Sequence, residues 1–136
     1  MLETAVARYR QVVVSTSTPG ELLIALYGGL FRFLKQARLC MEAKQRGRAA
    51  ELIAKSRAIV YELDLALDHD AFPDLCRNLT GLYGFCIDRL RVAARENSVQ
   101  AIDDVTRVLA PLYQAWQIAV PEATREQGRA DSPKGR

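Results

Sequence analysis

Apolar residues recur at the three- and four-residue spacing of an amphipathic helix in four stretches of this chain, which restricts what it can fold into. The stretches cover residues 22–41, 52–67, 75–94 and 102–119. A competing strand signal is confined to residues 12–14. Four helices of similar length with short connections predict an all-α fold, an antiparallel four-helix bundle.

Helix boundaries are marked by capping residues and prolines. Thr18, Pro19 and Glu21 form a capping box with proline in the first turn, so we predict that the first long helix starts there. Gly47 is a suitable C-terminal stop for that helix. Pro111 lies inside the fourth apolar stretch and is expected to kink the last helix or end it early.

The remaining boundaries follow from similar signals. Pro73 suits the first turn of the third helix, and either Asn97 or Ser98 caps the fourth. After Pro121 the chain is rich in Gly, Pro, Ser and charge, which is typical of disorder. The predicted organisation is an extended or short helical N-terminal arm at 1–17, the bundle at 18–121 and a disordered tail at 122–136.

Length and hydropathy predict a small cytoplasmic protein. The chain has 136 residues, of which 49% are hydrophobic and 26% charged, as expected for one globular domain. The longest apolar run, residues 22–31, is too short to span a membrane, since a span needs about 20 residues. The first residues lack the pattern of a secretory signal. Cys40, Cys76 and Cys86 are odd in number and form no CxxC pair, so reduced core thiols are expected.

The sequence offers little for catalysis. His69 is the single histidine, and its neighbours Asp68 and Asp70 cannot all converge with it in a short turn. The Glu-x-x-His pairs of a di-metal bundle do not occur. Gly28-Gly29 lies inside a helix and not between a strand and a helix, so it is no phosphate-binding loop. We therefore predict a protein that is not an enzyme and that uses no metal and no cofactor.

Charge is distributed unevenly along the chain, although the net charge is only +3. Residues 32–57 carry eight basic and two acidic side chains, whereas residues 62–74 carry five acidic ones. The basic region leaves open a module for self-assembly or RNA binding, but from Lys35 to Arg57 no aromatic residue is interleaved for base stacking. We therefore predict no nucleic-acid partner. An enzyme site formed across a dimer is a weaker alternative, and a homodimer is compatible with the sequence.

The first helix is apolar on too many sides for a simple bundle. Ten of the thirteen residues in 22–34 are apolar, which exceeds the stripe of roughly 100° that a bundle helix needs. The additional cover has to come from the N-terminal arm, from a second copy or from a foreign chain. Residues 9–14 are a candidate because they combine Tyr9 with three valines, either as a displaceable arm over a groove or as a fixed part of the core.

Several motifs are similar, in register, to those of the flagellar export chaperones of the FliS family. The similarity extends from Tyr9 to Ile118. Its segments are Tyr9 with residues 12–23 (VVVSTSTPGELL), 26–37 (LYGGLFRFLKQA), 62–68 (ELDLALD), 78–85 (NLTGLYGF) with 89–90, and the pair Ala115-Trp116.

This resemblance implies a function as well as a fold. It implies a cytoplasmic secretion chaperone that binds the C-terminal segment of flagellin, prevents premature polymerisation and delivers flagellin for export. The chaperone–client complex would contact the export-gate protein, and some members bind other flagellar regulators. The chain departs from the family at Gly28, where Asp is usual, and at Phe72-Pro73, where two glycines are common.

We expect the flagellin helices to lie on apolar surface of the first and third helices. The N-terminal arm would cover part of that surface in the free protein, and one amide side chain would hydrogen-bond the client backbone. The predicted flagellin-binding residues are Tyr9, Val12, Val14, Leu22, Leu23, Tyr27, Leu30, Leu34, Asn78, Leu79, Leu82 and Tyr83.

Overall fold

A computed structural model describes residues 19–131, with side chains described for 19–121. It contains four helices: α1 (Pro19–Glu42), α2 (Arg46–Leu65), α3 (Pro73–Glu96) and α4 (Val99–Asp131). Each helix packs against the next and α4 closes the ring against α1, so α1 and α3 lie diagonally across the bundle. The predicted all-α bundle is confirmed for the described residues, whereas the arm at 1–17 lies outside them.

The connection between α1 and α2 does not use Gly47, contrary to prediction. The helix ends at Glu42, and Lys44 takes the left-handed conformation with φ 60°. The Lys44 N–H donates to the Met41 carbonyl at 3.1 Å and the Gln45 N–H to the Cys40 carbonyl at 2.8 Å. This is a Schellman arrangement in which a lysine occupies the position that glycine usually takes. Gly47 itself lies within α2.

Replacing Lys44 by glycine is expected to stabilise the protein by about 1 kcal/mol, since a left-handed residue with a Cβ is strained. Asn97, at the end of α3, has φ 52° and serves as the matched control. Because asparagine tolerates this conformation, Asn97→Gly should give only a few tenths of a kcal/mol. Urea unfolding of the two variants measures the difference, and equal gains would contradict the explanation.

The other helix ends agree better with the sequence. Helices α1 and α3 begin at Pro19 and Pro73, as predicted, although Thr18 lies outside the described residues. Of the two candidate caps for α4, Ser98 is the one used, because its hydroxyl oxygen accepts a hydrogen bond from the Ala101 N–H at 3.1 Å.

Helix α4 is longer than predicted. It does not end at Pro111, and it continues beyond Pro121 to Asp131. A disordered tail from residue 122 is therefore not observed as far as 131, and residues 132–136 lie outside the described part. Proline removes one backbone hydrogen bond, but the glutamate, alanine, arginine and glutamine residues that follow Pro121 favour helix.

The additional apolar faces of α1 are covered by its neighbours in the bundle. The Tyr113 ring of α4 stacks on Phe31 at 5.3 Å and on Tyr27 at 5.7 Å between centroids. On the other flank, the Lys55 ammonium of α2 lies 5.7 Å from the centre of the Phe33 ring. Tyr113 and Lys55 therefore supply part of the cover that was expected from an arm, a second copy or a foreign chain, and Phe31 and Phe33 are half-buried.

The core runs along the whole bundle. Cys76 and Cys86 are buried, Cys40 is half-buried and all three are free thiols. The buried Ser56 hydroxyl donates to the Leu52 carbonyl of its own helix at 2.9 Å. Within residues 19–131, no helix combines the length and apolarity required to cross a membrane.

Candidate functional site: an apolar groove between the third and fourth helices

The predicted binding residues differ in how deeply they are buried in the structure. Tyr9, Val12 and Val14 lie outside the described residues. Leu22 and Leu23 are half-buried, whereas Asn78 and Leu82 are exposed. The other five are buried in the core: Tyr27, Leu30, Leu34, Leu79 and Tyr83.

The predicted combination of α1 and α3 does not form one surface. Because these helices are diagonal, their apolar faces meet inside the bundle. The Tyr27 and Tyr83 hydroxyl oxygens lie 2.8 Å apart there, in a buried hydrogen bond. Burial raises the pKa of both phenols, and for Tyr83 the neighbouring Tyr27 adds to this effect. Burial also raises the pKa of the nearby Cys86 thiol to about 12.

An apolar surface does exist where α3 meets α4. The contact is fixed by the Arg89 guanidinium, which lies 3.0 Å from a carboxylate oxygen of Asp104. On α3, the residues on the same face as Arg89 follow at intervals of three and four: Leu75, Asn78, Leu82 and Phe85. On α4, the same spacing from Asp104 gives Val108, Pro111, Ala115 and Ile118.

Since the helices are antiparallel, the two rows lie opposite one another. Counting from the Arg89–Asp104 pair, Phe85 is level with Val108, Leu82 with Pro111 and Leu75 with Ile118. The two rows run for about 20 Å at 1.5 Å per residue. Four of these side chains are large apolar groups with 38 to 66% of their surface exposed: Leu75, Leu82, Phe85 and Ile118. We call this surface the α3–α4 groove.

The ends of the groove differ in polarity. At one end, the Gln100 amide and the Arg89 guanidinium both donate to the Asp104 carboxylate. The Gln100 hydrogen bond is the main reason that the pKa of Asp104 is lowered, with Arg89 contributing further. At the other end, Leu75 and Ile118 are apolar and exposed. The groove is therefore closed by charge near Arg89 and open towards the C-terminal half of α4.

The opposite flank of α3 is polar where it meets α2. The Thr80 hydroxyl donates to an Asp64 carboxylate oxygen at 2.8 Å, and Arg91 donates to the Tyr61 hydroxyl at 2.8 Å. These bonds occupy the α2–α3 boundary. The apolar surface available to a ligand on α3 therefore lies mainly on the α4 side.

Sequence reasoning identified Asn78 and Leu82 in this groove but missed Leu75, Phe85 and Ile118. The signal was present, because Leu75, Leu82 and Phe85 form a second apolar row on α3 beside the core stripe. The periodicity of one helix does not show whether such a row faces a neighbour or solvent. Ala115, from the alanine–tryptophan motif, lies exposed on the groove face, whereas Trp116 is half-buried against the core.

A smaller depression lies at the start of α1. It encloses about 60 Å³ and is lined by Leu22, Leu26, Glu62, Leu65 and Ala66. Its volume suits a single aliphatic side chain and not a small-molecule substrate, since ligand pockets usually enclose several hundred Å³. Leu22 thus contributes to a separate notch between α1 and α2, away from the α3–α4 groove.

The described residues contain no grouping for metal chemistry. His69 is exposed in the connection between α2 and α3. Between residues 19 and 121, no three His, Cys, Asp or Glu side chains come close enough to hold a metal ion.

Two glycines in mid-helix provide a test of how the bundle is packed. A Cβ on Gly84 of α3 would meet nothing within 4 Å, whereas one on Gly28 of α1 would lie 3.1 Å from the Tyr113 hydroxyl oxygen. Gly84→Ala should therefore stabilise the protein by about 1 kcal/mol through helix propensity alone. Gly28→Ala should gain clearly less, because Tyr113 must move. Thermal unfolding of both variants checks this, and a larger gain for Gly28→Ala would contradict the packing.

Comparison with known proteins finds similarity to one protein family. The family model described as "Flagellar protein FliS" matches residues 2–123. The chain is 29% identical over 131 residues to the flagellar secretion chaperone FliS of Salmonella typhimurium, covering 93% of this chain and 97% of that protein. It is 35% identical over 117 residues to FliSB of Pseudomonas aeruginosa (82% and 92%) and 27% over 119 residues to FliS of Bacillus subtilis (88% and 88%).

Proposed function

This chain belongs to the FliS family of flagellar secretion chaperones, and from that premise we propose that it binds flagellin in the cytoplasm. The client region is the C-terminal segment of flagellin, which folds into helices on the chaperone. Binding prevents premature polymerisation and presents flagellin for export through contact with the export-gate protein.

The α3–α4 groove is the observation that supports this proposal. It offers a row of exposed apolar side chains on each helix, which suits an amphipathic helix laid along the groove. Asn78 lies exposed within the α3 row and offers an amide to the client backbone. The proposal keeps Leu82 and Asn78 from the sequence prediction and adds Leu75, Phe85 and Ile118.

Energetics explain why the client must be long. Each buried apolar side chain contributes about 1.5–3 kcal/mol, whereas ordering the client backbone costs about 1–2 kcal/mol per residue. One groove of about 20 Å therefore gives modest affinity by itself. Tight binding requires further contacts along the bundle, for which the notch at Leu22 is a candidate.

The RNA-binding alternative receives less support from the basic region. Arg38 is paired with Asp103 at 2.9 Å and also contacts Glu42, and Arg48 is paired with Glu51 at 3.2 Å. Lys55 lies over the Phe33 ring. Because these basic groups already have partners within the protein, fewer remain for phosphate contacts.

Co-purification with two forms of flagellin tests the function. The chain is co-expressed with intact flagellin and, separately, with flagellin that lacks its C-terminal segment. We expect the intact client to be retained through washing and the truncated client to be lost. Equal recovery of both forms, or of neither, contradicts the proposal. Salt-sensitive retention on RNA, with no retention of flagellin, would favour the alternative.

A further inference from the structure

A second apolar surface lies at the end of the bundle where α2 turns into α3. Leu65 and Phe72 expose 79% and 63% of their surface, and Leu75 continues the patch at the rim of the groove. Asp68, Asp70 and Asp74 are exposed in the same segment. We call these six residues the acidic end. Large exposed apolar groups within a charged rim are typical of interaction surfaces.

The local structure holds this end in a defined shape. The Asp68 carbonyl accepts hydrogen bonds from the Phe72 N–H at 3.2 Å and from the Cys76 thiol at 3.3 Å. An Asp68 carboxylate oxygen accepts from the Ala71 N–H at 3.2 Å. Pro73 then starts α3. Phe72 is therefore presented outward from a hydrogen-bonded turn.

The complementary surface lies on the same molecule, at the opposite end. The second half of α1 and the start of α2 are net basic, although Glu42 pairs with Arg38 and Glu51 pairs with Arg48. The exposed side chains that form the surface are Lys35, Leu39, Lys44, Arg46 and Arg48. We call these five residues the basic hairpin. Both surfaces combine charge with apolar side chains, and their charges are opposite.

From this complementarity we propose that the acidic end of one copy binds the basic hairpin of a second copy, head to tail. A heterologous contact of this kind uses two different surfaces, so each copy keeps one free and the assembly is open-ended. The contact covers only the end of a bundle, which makes it a weak, concentration-dependent association. It shares Leu75 with the α3–α4 groove and leaves the rest of the groove accessible to the client.

Sedimentation of the full chain over a range of concentrations tests this proposal. We expect the mean mass to rise with concentration at low salt, with a dissociation constant of about 0.1–1 mM. Between about 0.05 M and 0.5 M salt, the association should weaken about tenfold, because the Debye length shortens. Phe72→Ser should weaken it similarly at low salt, whereas Phe85→Ser, outside both surfaces and about 15 Å along α3 from Leu75, should leave it unchanged.

Paired charge reversal gives the decisive result. Asp70→Lys with Asp74→Lys makes both surfaces basic, and Lys35→Glu with Arg46→Glu removes the basic charge from the hairpin. Each variant by itself should remain monomeric, and mixing the two should restore association, because the native acidic end then meets the native basic hairpin.

Several outcomes would overturn the proposal. The proposal is wrong if the chain is monomeric at all protein and salt concentrations. A mean mass that rises no further than that of a dimer indicates a symmetric interface instead. Failure of the mixed variants to associate excludes charge pairing as the basis. Binding of a basic amphipathic peptide to the acidic end without any self-association would assign that surface to a foreign partner.

Discussion

Replacing Leu82 by aspartate is expected to weaken binding of the flagellin C-terminal segment about 100-fold. A factor of 100 corresponds to about 2.7 kcal/mol. Burial of the 38% of Leu82 that is exposed supplies part of this value, and the desolvation of the new carboxylate supplies the rest. Ile118→Asp, on the facing row of α4, should have a similar effect. Titration of a labelled C-terminal flagellin peptide measures both.

Leu39→Asp is the matched control for this experiment. Leu39 is also an exposed leucine on a helix, but it lies in the last turn of α1, away from the groove. Its replacement should change client affinity by less than about threefold, which is under 1 kcal/mol. Leu39→Asp and Ile118→Asp should keep their unfolding free energy within about 0.5 kcal/mol, because most of each side chain is exposed. Leu82→Asp should lose about 1 kcal/mol and remain folded, because Leu82 is 38% exposed. Equal losses for Leu39→Asp and Leu82→Asp would contradict the assignment of the groove.

The second large effect is a loss of stability in alkaline solution. Tyr27, Tyr83 and Cys86 are buried, and burial raises their pKa values above those of the unfolded chain. In the unfolded state, the thiol ionises at about 8.5 and the phenols at about 10. As the pH rises through these values, the unfolded state releases protons that the folded state retains, so the free energy of unfolding falls.

The size of this effect follows from proton linkage. Each group contributes about −1.4 kcal/mol per pH unit once the pH exceeds its unfolded pKa. From pH 8 to pH 11, Cys86 and Tyr83 together remove about 5 kcal/mol and Tyr27 adds to this loss, which is a large fraction of the usual stability of a small domain. Urea unfolding followed by helical circular dichroism, at a series of pH values in this range, measures the slope.

The double variant Tyr27→Phe with Tyr83→Phe tests which groups are responsible. Removing both hydroxyls of the Tyr27–Tyr83 pair leaves neither of the two unsatisfied, so the double variant should lose little stability at pH 7. The variant should lose about two thirds of the slope above pH 10, and the further change Cys86→Ala should remove most of the remainder. Phe33→Leu, which changes a half-buried ring without removing a titratable group, is the control and should keep the wild-type slope. A slope that is unchanged in the double variant would contradict this explanation.

The sequence predicted elements more reliably than surfaces. The starts of α1 and α3 followed from Pro19 and Pro73, because proline in a first turn costs no hydrogen bond. The end of α1 was misplaced, since Lys44 takes a left-handed conformation that favours glycine, and the predicted stop at Gly47 lies inside α2. The position of Pro111 within α4 shows that one missing hydrogen bond does not end a helix held by its neighbours.

At the candidate site, the sequence did not show which motif residues are buried and which are exposed. Tyr27 and Tyr83 belong to motifs with a functional resemblance, yet their rings fill the core and their hydroxyls bond to each other. Phe85 lies in one of the same motifs and is exposed. The motif alone does not distinguish buried from exposed positions, because a family motif contains residues that pack the core as well as residues that bind.

The sequence by itself determined the helical class, the number of helices, most of their starts and the family. These depend on the 3.6-residue period and on local capping, which are properties of neighbouring residues. Tertiary structure decided that α1 and α3 are diagonal, that Tyr113 covers the aromatic face of α1, and that the open apolar surface lies between α3 and α4. The physical reason is that burial depends on which helices become neighbours, and the order of packing around a bundle is not encoded in the period of any one helix.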